Sequence, residues 1–389
     1  MPTTLVHVAR AFTPTTEIPD AAILFRDGVI EFVGPRSAVS LPAGAQEIIA
    51  TGKIAAPGFI DVHIHGAGGH DVMEATGAAL SAVSHTVAAH GTTSFVATTV
   101  TASTESTCQS AEGIASYICQ QHQADDPRAD ILGIHFEGPF ISSVRRGVHP
   151  SEFLRLPSAD LLEKFIDAAK GNARILTIAP ELLGAMPCID AAHKAGLVVA
   201  IGHTDATYEQ ARAAIARGAH HAVHVYNAMR PFSHRDSGVI GAVLTTHEVT
   251  AELIADGVHV DETAMRLLLQ AKGAAGVILV SDGVSATGMP DGKYILGNME
   301  VTVDGGVCRN AEGKLAGSTL TLDRALRNIV NLGTPFADAL RMLTLNPATL
   351  LGIEFKKGSL RPGADADLLL LDEGLNITQV WTRGISLNA

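Results

Sequence analysis

Between residues 57 and 353 the chain alternates short apolar runs with Ala-rich stretches. The runs FIDVHIH, TSFVATT, ILGIHFE, RILTIAP, GLVVAIGH, HAVHVYN, VTAELIAD and GVILVSD read as strands. Helix-like segments lie between most of them, such as AALSAVSHTVAAH, CIDAAHKAG and TYEQARAAIARG. Eight strands separated by helices predict an α/β chain folded as a (β/α)8 TIM-like barrel, with its chemistry at the C-terminal strand ends. The alternative is a doubly wound open sheet. That fold is expected to carry a phosphate-binding fingerprint after its first strand, and no G-x-G-x-x-G stands there.

Both ends of the chain follow another pattern. In AILFRDGVIEFVG, Asp27-Gly28 separates two alternating runs, which is a hairpin signal. GSLRPGADADLLLLD and NITQVWTRGISL have strand composition and turn punctuation. The expectation is a small β-sandwich domain built from residues 1–56 and 354–389, flanking a barrel over 57–353.

Composition narrows the class. A 389-residue chain with 47% hydrophobic residues, 38 Gly and 4% aromatics suits a compact enzyme body, not a disordered or fibrous one. The net charge of -12 argues against nucleic-acid or anionic-membrane partners. An anionic small substrate then requires a local cationic pocket. Cys108, Cys119, Cys188 and Cys308 are scattered, without metal-type pairing, and fit free thiols in a reducing cytoplasm. No apolar run approaches the ~20 residues that span a bilayer.

Candidate chemistry begins in GFIDVHIHGAGG. His63 and His65 are two apart on a strand and so share a face. Later strand ends supply Glu137, His203, His224 and Asp282. Four imidazoles and two carboxylates at one mouth suit one or two divalent ions of Zn, Fe, Mn or Co class. Taken singly, His203 or His224 could be an ordinary buried polar residue, and Asp282 could cap a turn. Glu137 is harder to dismiss, because an unpaired buried carboxylate is costly. His85, His90, His122, His193, His220, His221 and His247 fall on helices or loops and receive no chemical role. In YNAMRPFSHRDSG, Asn227 and Ala228 offer amide donors and the two arginines offer guanidinium groups, as an anion would require.

The segments PGFIDVHIHGAGG, HFEGPF, GHTDA, HVYNAMRPFSHRDSG, IADGVHV and VSDGVSATG occur in that order, followed by LAGSTLTLDRAL, TLNPATLLG and GSLRPGADADLLLLD. Together they resemble the N-acetylglucosamine-6-phosphate deacetylases of the amidohydrolase superfamily over nearly the whole chain. The H-x-H and GADAD elements mark the superfamily broadly. The E-G-P, YNAM and ADGVHV elements are narrower and point to these deacetylases.

The resemblance implies hydrolysis of the acetamide of N-acetyl-D-glucosamine 6-phosphate, with Glu137, His203 and His224 as metal ligands and Asp282 as general base, then acid. Some members carry Gln-x-Asn in place of H-x-H and hold one metal. This chain keeps His63 and His65, as members able to hold a second ion do. Strand four, RILTIAPE, lacks the carbamylated Lys of many superfamily relatives, which fits Glu137 as the bridging group. His149 matches a histidine that reaches the substrate. Arg235, rather than Arg230, and His259 match residues at the phosphate end. In relatives that arginine can enter the neighbouring subunit's site, implying a homodimer or higher homo-oligomer. In LAGSTLT, Gly317 and Ser318 either approach the sugar or precede a helix capped at Ser318 or Thr319. The alternatives are deacetylation of the galactosamine epimer, hydrolysis of another amide, or a non-catalytic metal-binding barrel.

Overall fold

The computed structural model describes residues 3–123 and 126–387. Eight parallel strands run in chain order around the central sheet: Phe59–Ile64, Thr92–Thr99, Asp130–Glu137, Ala173–Ile178, Val198–Ile201, His221–Ala222, Thr250–Ile254 and Val277–Val280. Past the eighth strand the ring closes on the first: Asp282 N–H donates to His63 O (2.9 Å), and His65 N–H to Gly283 O (2.7 Å). The helices that separate the strands bury their apolar faces against this sheet. They begin on caps that the sequence supplies, such as Thr207, which with Gln210 forms a reciprocal capping box.

The sixth strand is shorter than HAVHVYN suggests. It ends at Ala222 because the chain then turns through left-handed residues, His224 (φ 27°), Tyr226 (φ 79°) and Ala228 (φ 51°). Alternating apolarity cannot distinguish this turn from continued strand.

Both ends of the chain build one mixed seven-stranded sheet. At its centre Gln46–Pro57 pairs in parallel with Thr4–Phe12 and antiparallel with Leu368–Leu371. Asp27 (φ 50°) and Gly28 (φ 80°) make the expected tight hairpin turn between Glu17–Arg26 and Val29–Pro35. The central strand runs on into the first barrel strand through Gly58. A Cβ there would fall 2.1 Å from Thr93 Oγ1, so no other residue fits without movement. Below the barrel, the buried Lys357 ammonium holds Asp367 (2.7 Å), Asp130 (2.9 Å) and Asp365 (3.0 Å) together. Asp130 opens the third barrel strand and also meets Arg383, in the turn after the sheet strand Ile377–Thr382.

A three-stranded antiparallel sheet, Gly292–Leu296, Met299–Asp304 and Val307–Asn310, is inserted after the eighth barrel strand. It was not anticipated, although MEVTVD alternates and Gly-containing turns flank it. Val284, Leu296, Val301, Val303 and Cys308 give it a small core of its own. The helix that follows, Leu322–Asn331, starts after Thr321 and not at Ser318 or Thr319. Ser318 instead points inward, donating to Ser281 O (2.6 Å) and accepting from Leu320 N–H (2.9 Å). Among the described residues, no helix is long and apolar enough to cross a membrane.

Candidate active site

The six strand-end side chains converge at the C-terminal mouth of the barrel, all buried, and all but His63 line one cleft there. Glu137 is the hub. Its Oε1 lies 3.0 Å from His224 Nε2, 3.1 Å from His203 Nε2 and 3.3 Å from His63 Nε2. Its Oε2 lies 3.2 Å from His65 Nε2. Asp282 Oδ1 stands 3.3 Å from His65 Nε2 and 3.7 Å from His63 Nε2. His203, His224 and Asp282 each leave their strand with positive φ (45°, 27° and 49°). Non-glycine residues adopt that region at a cost, and such strain concentrates at functional sites.

The hydrogen bonds behind the rings set which nitrogen is free. His65 Nδ1 faces Thr98 O (3.0 Å), His203 Nδ1 faces Arg145 O (3.0 Å) and His63 Nδ1 faces Glu252 Oε2 (2.8 Å). These partners only accept, so each Nδ1 carries a proton, and each Nε2 turns toward the carboxylates with a position open to a second proton or to a metal ion. An unprotonated Nε2 and a carboxylate oxygen both only accept. The His63 Nε2 atom, although 3.3 Å from Glu137, makes no hydrogen bond there and is otherwise orphaned. Acceptors facing acceptors in a buried site call for positive charge between them, as protons or as a metal cation. The donor set, nitrogen and carboxylate oxygen, fits a divalent first-row ion.

The electrostatics agree. Burial alone would raise Glu137, yet His63 and His203 hold its carboxyl well below the usual range. Burial likewise opposes ionisation of Asp282, and His65 and His63 outweigh it, so the carboxylate stays charged. Burial pulls His65 down, but Asp282 and Glu137 lift it to about 9. Ligand atoms close enough to share an ion fall into three overlapping sets: His63, His65 and Asp282; His63, Glu137 and His224; Glu137, His149 and His203.

His149 differs from the other rings. Its Nδ1 accepts the Thr101 N–H (3.3 Å) and sits 2.8 Å from Thr101 Oγ1. Its Nε2 therefore carries the proton and faces the cleft as a donor. Burial brings its pKa down to about 4, so that donor is neutral. A neutral N–H suits a carbonyl oxygen better than a metal ion.

The phosphate-end candidates divide. Ala228 and Asn227 line the cleft, and so does His259, whose Nδ1 is held by Asp256 Oδ2 (2.7 Å). The Asn227 backbone N–H, expected to be free for a ligand, donates to His224 O (3.0 Å) to close the turn. Arg235 is exposed in the Ser233–Asp236 turn and does not line the cleft of its own chain. Arg230 is the arginine of this loop that is tied down, between Asp236 (2.7 Å) and Asp205 (3.4 Å). Gly317 lines the cleft, whereas Ser318 turns away from it.

Sequence reading missed the layer beneath the ligands. Asp61 accepts from His63 N–H (3.2 Å) and Ser281 N–H (3.3 Å), and burial lifts its pKa to about 7. His135, neutral with its pKa pulled by burial to about 3, packs edge-on against His63 at 4.7 Å between centroids. Glu252 and His221 back the same ring. His221, assigned no role on sequence, is wholly buried there. The one sequence signal for this layer is the ionisable residues inside otherwise apolar strands: Asp61 in FIDVHIH, His135 in ILGIHFE and Glu252 in VTAELIAD.

A closed parallel barrel with imidazoles and carboxylates at its C-terminal mouth is an enzyme-like site whose side chains could hold a divalent metal ion. The chain belongs to the amidohydrolase family, whose sequence pattern matches residues 54–386. It is 38% identical to the N-acetylgalactosamine-6-phosphate deacetylase of Escherichia coli O157:H7 over 384 residues, 98% of this chain and 99% of that one. It is 38% identical to the N-acetylglucosamine-6-phosphate deacetylase of Vibrio furnissii over 352 residues, 90% of this chain and 85% of that one. Its fold matches the solved structure of a mutant N-acetyl-D-glucosamine-6-phosphate deacetylase from Mycobacterium smegmatis, in complex with N-acetyl-D-glucosamine-6-phosphate. The TM-score is 0.93 at 34% identity, covering 100% of both chains.

Proposed function

We propose that this chain hydrolyses the acetamide of N-acetyl-D-glucosamine 6-phosphate to D-glucosamine 6-phosphate and acetate. The observation that carries the proposal is the convergence of Asp282, ionised, with imidazoles around Glu137 in one cleft. The chain's similarity to deacetylases of phosphorylated amino sugars supports the choice of substrate.

Glu137, His203 and His224 would hold one divalent ion, and His63 and His65 a second, with Asp282 beside them. Bound there, Zn²⁺, Fe²⁺, Mn²⁺ or Co²⁺ supplies a Lewis acid and lowers the pKa of water. Asp282 takes the proton from the attacking water and delivers it to the leaving nitrogen, which an amide requires because its amine leaves poorly. His149 donates its Nε2–H to the acetyl oxygen, where negative charge grows as the carbonyl is attacked. His259, oriented by Asp256, faces the phosphate end with Ala228 and Asn227. Arg235 reaches a phosphate in the neighbouring subunit of a homodimer. The four cysteines, all unbridged, fit a cytoplasmic enzyme.

Acetate release from N-acetylglucosamine 6-phosphate tests the proposal, with chelated protein and then protein given each of the four metals. The unphosphorylated sugar and the galactosamine epimer run alongside. Metal-restored turnover that favours the phosphorylated glucosamine is expected. Turnover favouring the epimer would move the substrate, and none with any metal would remove the activity.

Arg235→Ala is expected to raise KM for the phosphorylated sugar about 10- to 100-fold, the worth of a charge-assisted contact of ~1.5–3 kcal/mol. KM for the unphosphorylated sugar stays unchanged. Co-assembly with Asp282→Asn subunits restores turnover at sites that receive an intact arginine from the other chain. Equal effects on both sugars would remove Arg235 from phosphate binding.

A further inference from the structure

Glu252 lies in the seventh barrel strand, which gives no side chain to the ligand set, and is 0% exposed. Its strand neighbours Ala251 and Leu253 are apolar and equally buried. A carboxylate at such a position costs several kcal/mol unless every lone pair is used. Here both oxygens are used. His221 Nε2–H donates to Oε1 (2.9 Å), and His63 Nδ1–H donates to Oε2 (2.8 Å). The backbone N–H of His224 also donates to Oε2 (3.1 Å). Behind His221, its Nδ1 meets the Thr250 hydroxyl (2.7 Å). One carboxylate therefore fixes the ring of His63 and the strained left-handed backbone of His224.

We propose that Glu252, braced by His221, is the positioning residue that sets how tightly His63 holds a divalent ion. The proposal rests on the reading of His63 as a metal ligand. The argument is geometric. The His63 Nε2 is a buried atom without a hydrogen-bond partner, aimed at Glu137 (3.3 Å) and Asp282 (3.7 Å), and it presents a lone pair only while Nδ1 keeps its proton. Glu252 enforces that state, because a carboxylate offers Nδ1 no donor. It also prevents the ring from turning about its Cβ–Cγ bond. His65 obtains the same service from the Thr98 carbonyl and His203 from the Arg145 carbonyl, so neither depends on Glu252. A glutamine at 252 can instead present its NH₂ to Nδ1, which would place the His63 proton on Nε2 and block the ligand atom.

The test is titration of apo protein with Zn²⁺, read as ions bound per chain and the affinity of each, for wild type, Glu252→Gln and His63→Ala. The His63→Ala arm identifies the ion that His63 holds. Glu252→Gln is expected to weaken that ion about 10- to 100-fold, the usual cost of losing an outer-sphere partner. Any ion on Glu137, His203 and His224 is weakened less, because Glu252 meets the backbone N–H of His224 and not its ring, and the apo protein stays folded. Unchanged affinity in Glu252→Gln, or equal weakening of every ion, overturns the proposal while leaving the metal reading intact. If His63→Ala alters no ion, the ligand reading of His63 fails and the proposal with it. Should Glu252→Gln not fold, His221→Gln keeps the carboxylate and releases one of its oxygens. It is titrated the same way, with selective weakening expected and unchanged affinity overturning the proposal.

Discussion

Asp282→Asn retains its metal and loses about 10³- to 10⁴-fold in kcat, the upper range for removing a general acid–base group. That corresponds to roughly 4–5 kcal/mol of barrier, since each tenfold is about 1.4 kcal/mol. Asparagine keeps the shape of the side chain and its oxygen near His65, so the cleft is not disturbed. What it cannot do is accept a proton at neutral pH. The wild-type carboxylate can, because His65 and His63 keep it ionised against the penalty of burial. Single-turnover acetate release, with metal content measured on the same sample, checks the prediction. Turnover within tenfold of wild type at full metal occupancy would sink the assignment. Turnover lost together with the metal would instead make Asp282 chiefly a ligand.

Glu137→Gln is expected to abolish turnover by another route, through loss of the metal. The carboxylate stands within 3.4 Å of five imidazole nitrogens, those of His63, His65, His149, His203 and His224. A neutral amide keeps the volume and removes the charge on which both ions would draw. Thermal unfolding with and without Zn²⁺ separates this from simple misfolding. A ligand at about a hundred times its Kd stabilises the folded state by about 2.7 kcal/mol. Wild type should show that rise in melting temperature, and Glu137→Gln should not, while their apo forms melt close together. A metal-dependent rise of wild-type size in the variant would contradict the hub role of Glu137.

The barrel was legible because its strands are apolar runs of strand length separated by amphipathic helices, a pattern that local propensity and packing both favour. His63 and His65 were legible because a period of two puts both on one face. His203, His224 and Asp282 sit where apolar runs stop, and strand ends are where barrels place polar groups. Glu252 was not legible. It looks like an interruption of an apolar strand, and its partner His63 is 189 positions away, so only closure of the ring brings them together. The tautomers were beyond sequence for the same reason. Nothing in RRGVHP says that His149 accepts at Nδ1 while His63, His65 and His203 donate there. The exposed position of Arg235 reflects a turn set by Ser233 and Asp236, whose pairing depends on local geometry.

The strand Gln46–Pro57 has Thr4–Phe12 on one flank and Leu368–Leu371 on the other. During synthesis the first partner is already made, but the second, Leu368–Leu371, emerges only after the whole barrel. At about 5–20 residues per second, one edge of this strand waits unpaired for roughly tens of seconds. That edge includes Ile54, Ala55 and Ala56, which are buried in the finished sheet. Pairing so distant in sequence is slow to form, and an apolar open edge invites other chains. Yield of native enzyme from a ribosome should therefore depend on temperature and chaperone supply more steeply than the stability of the finished fold does.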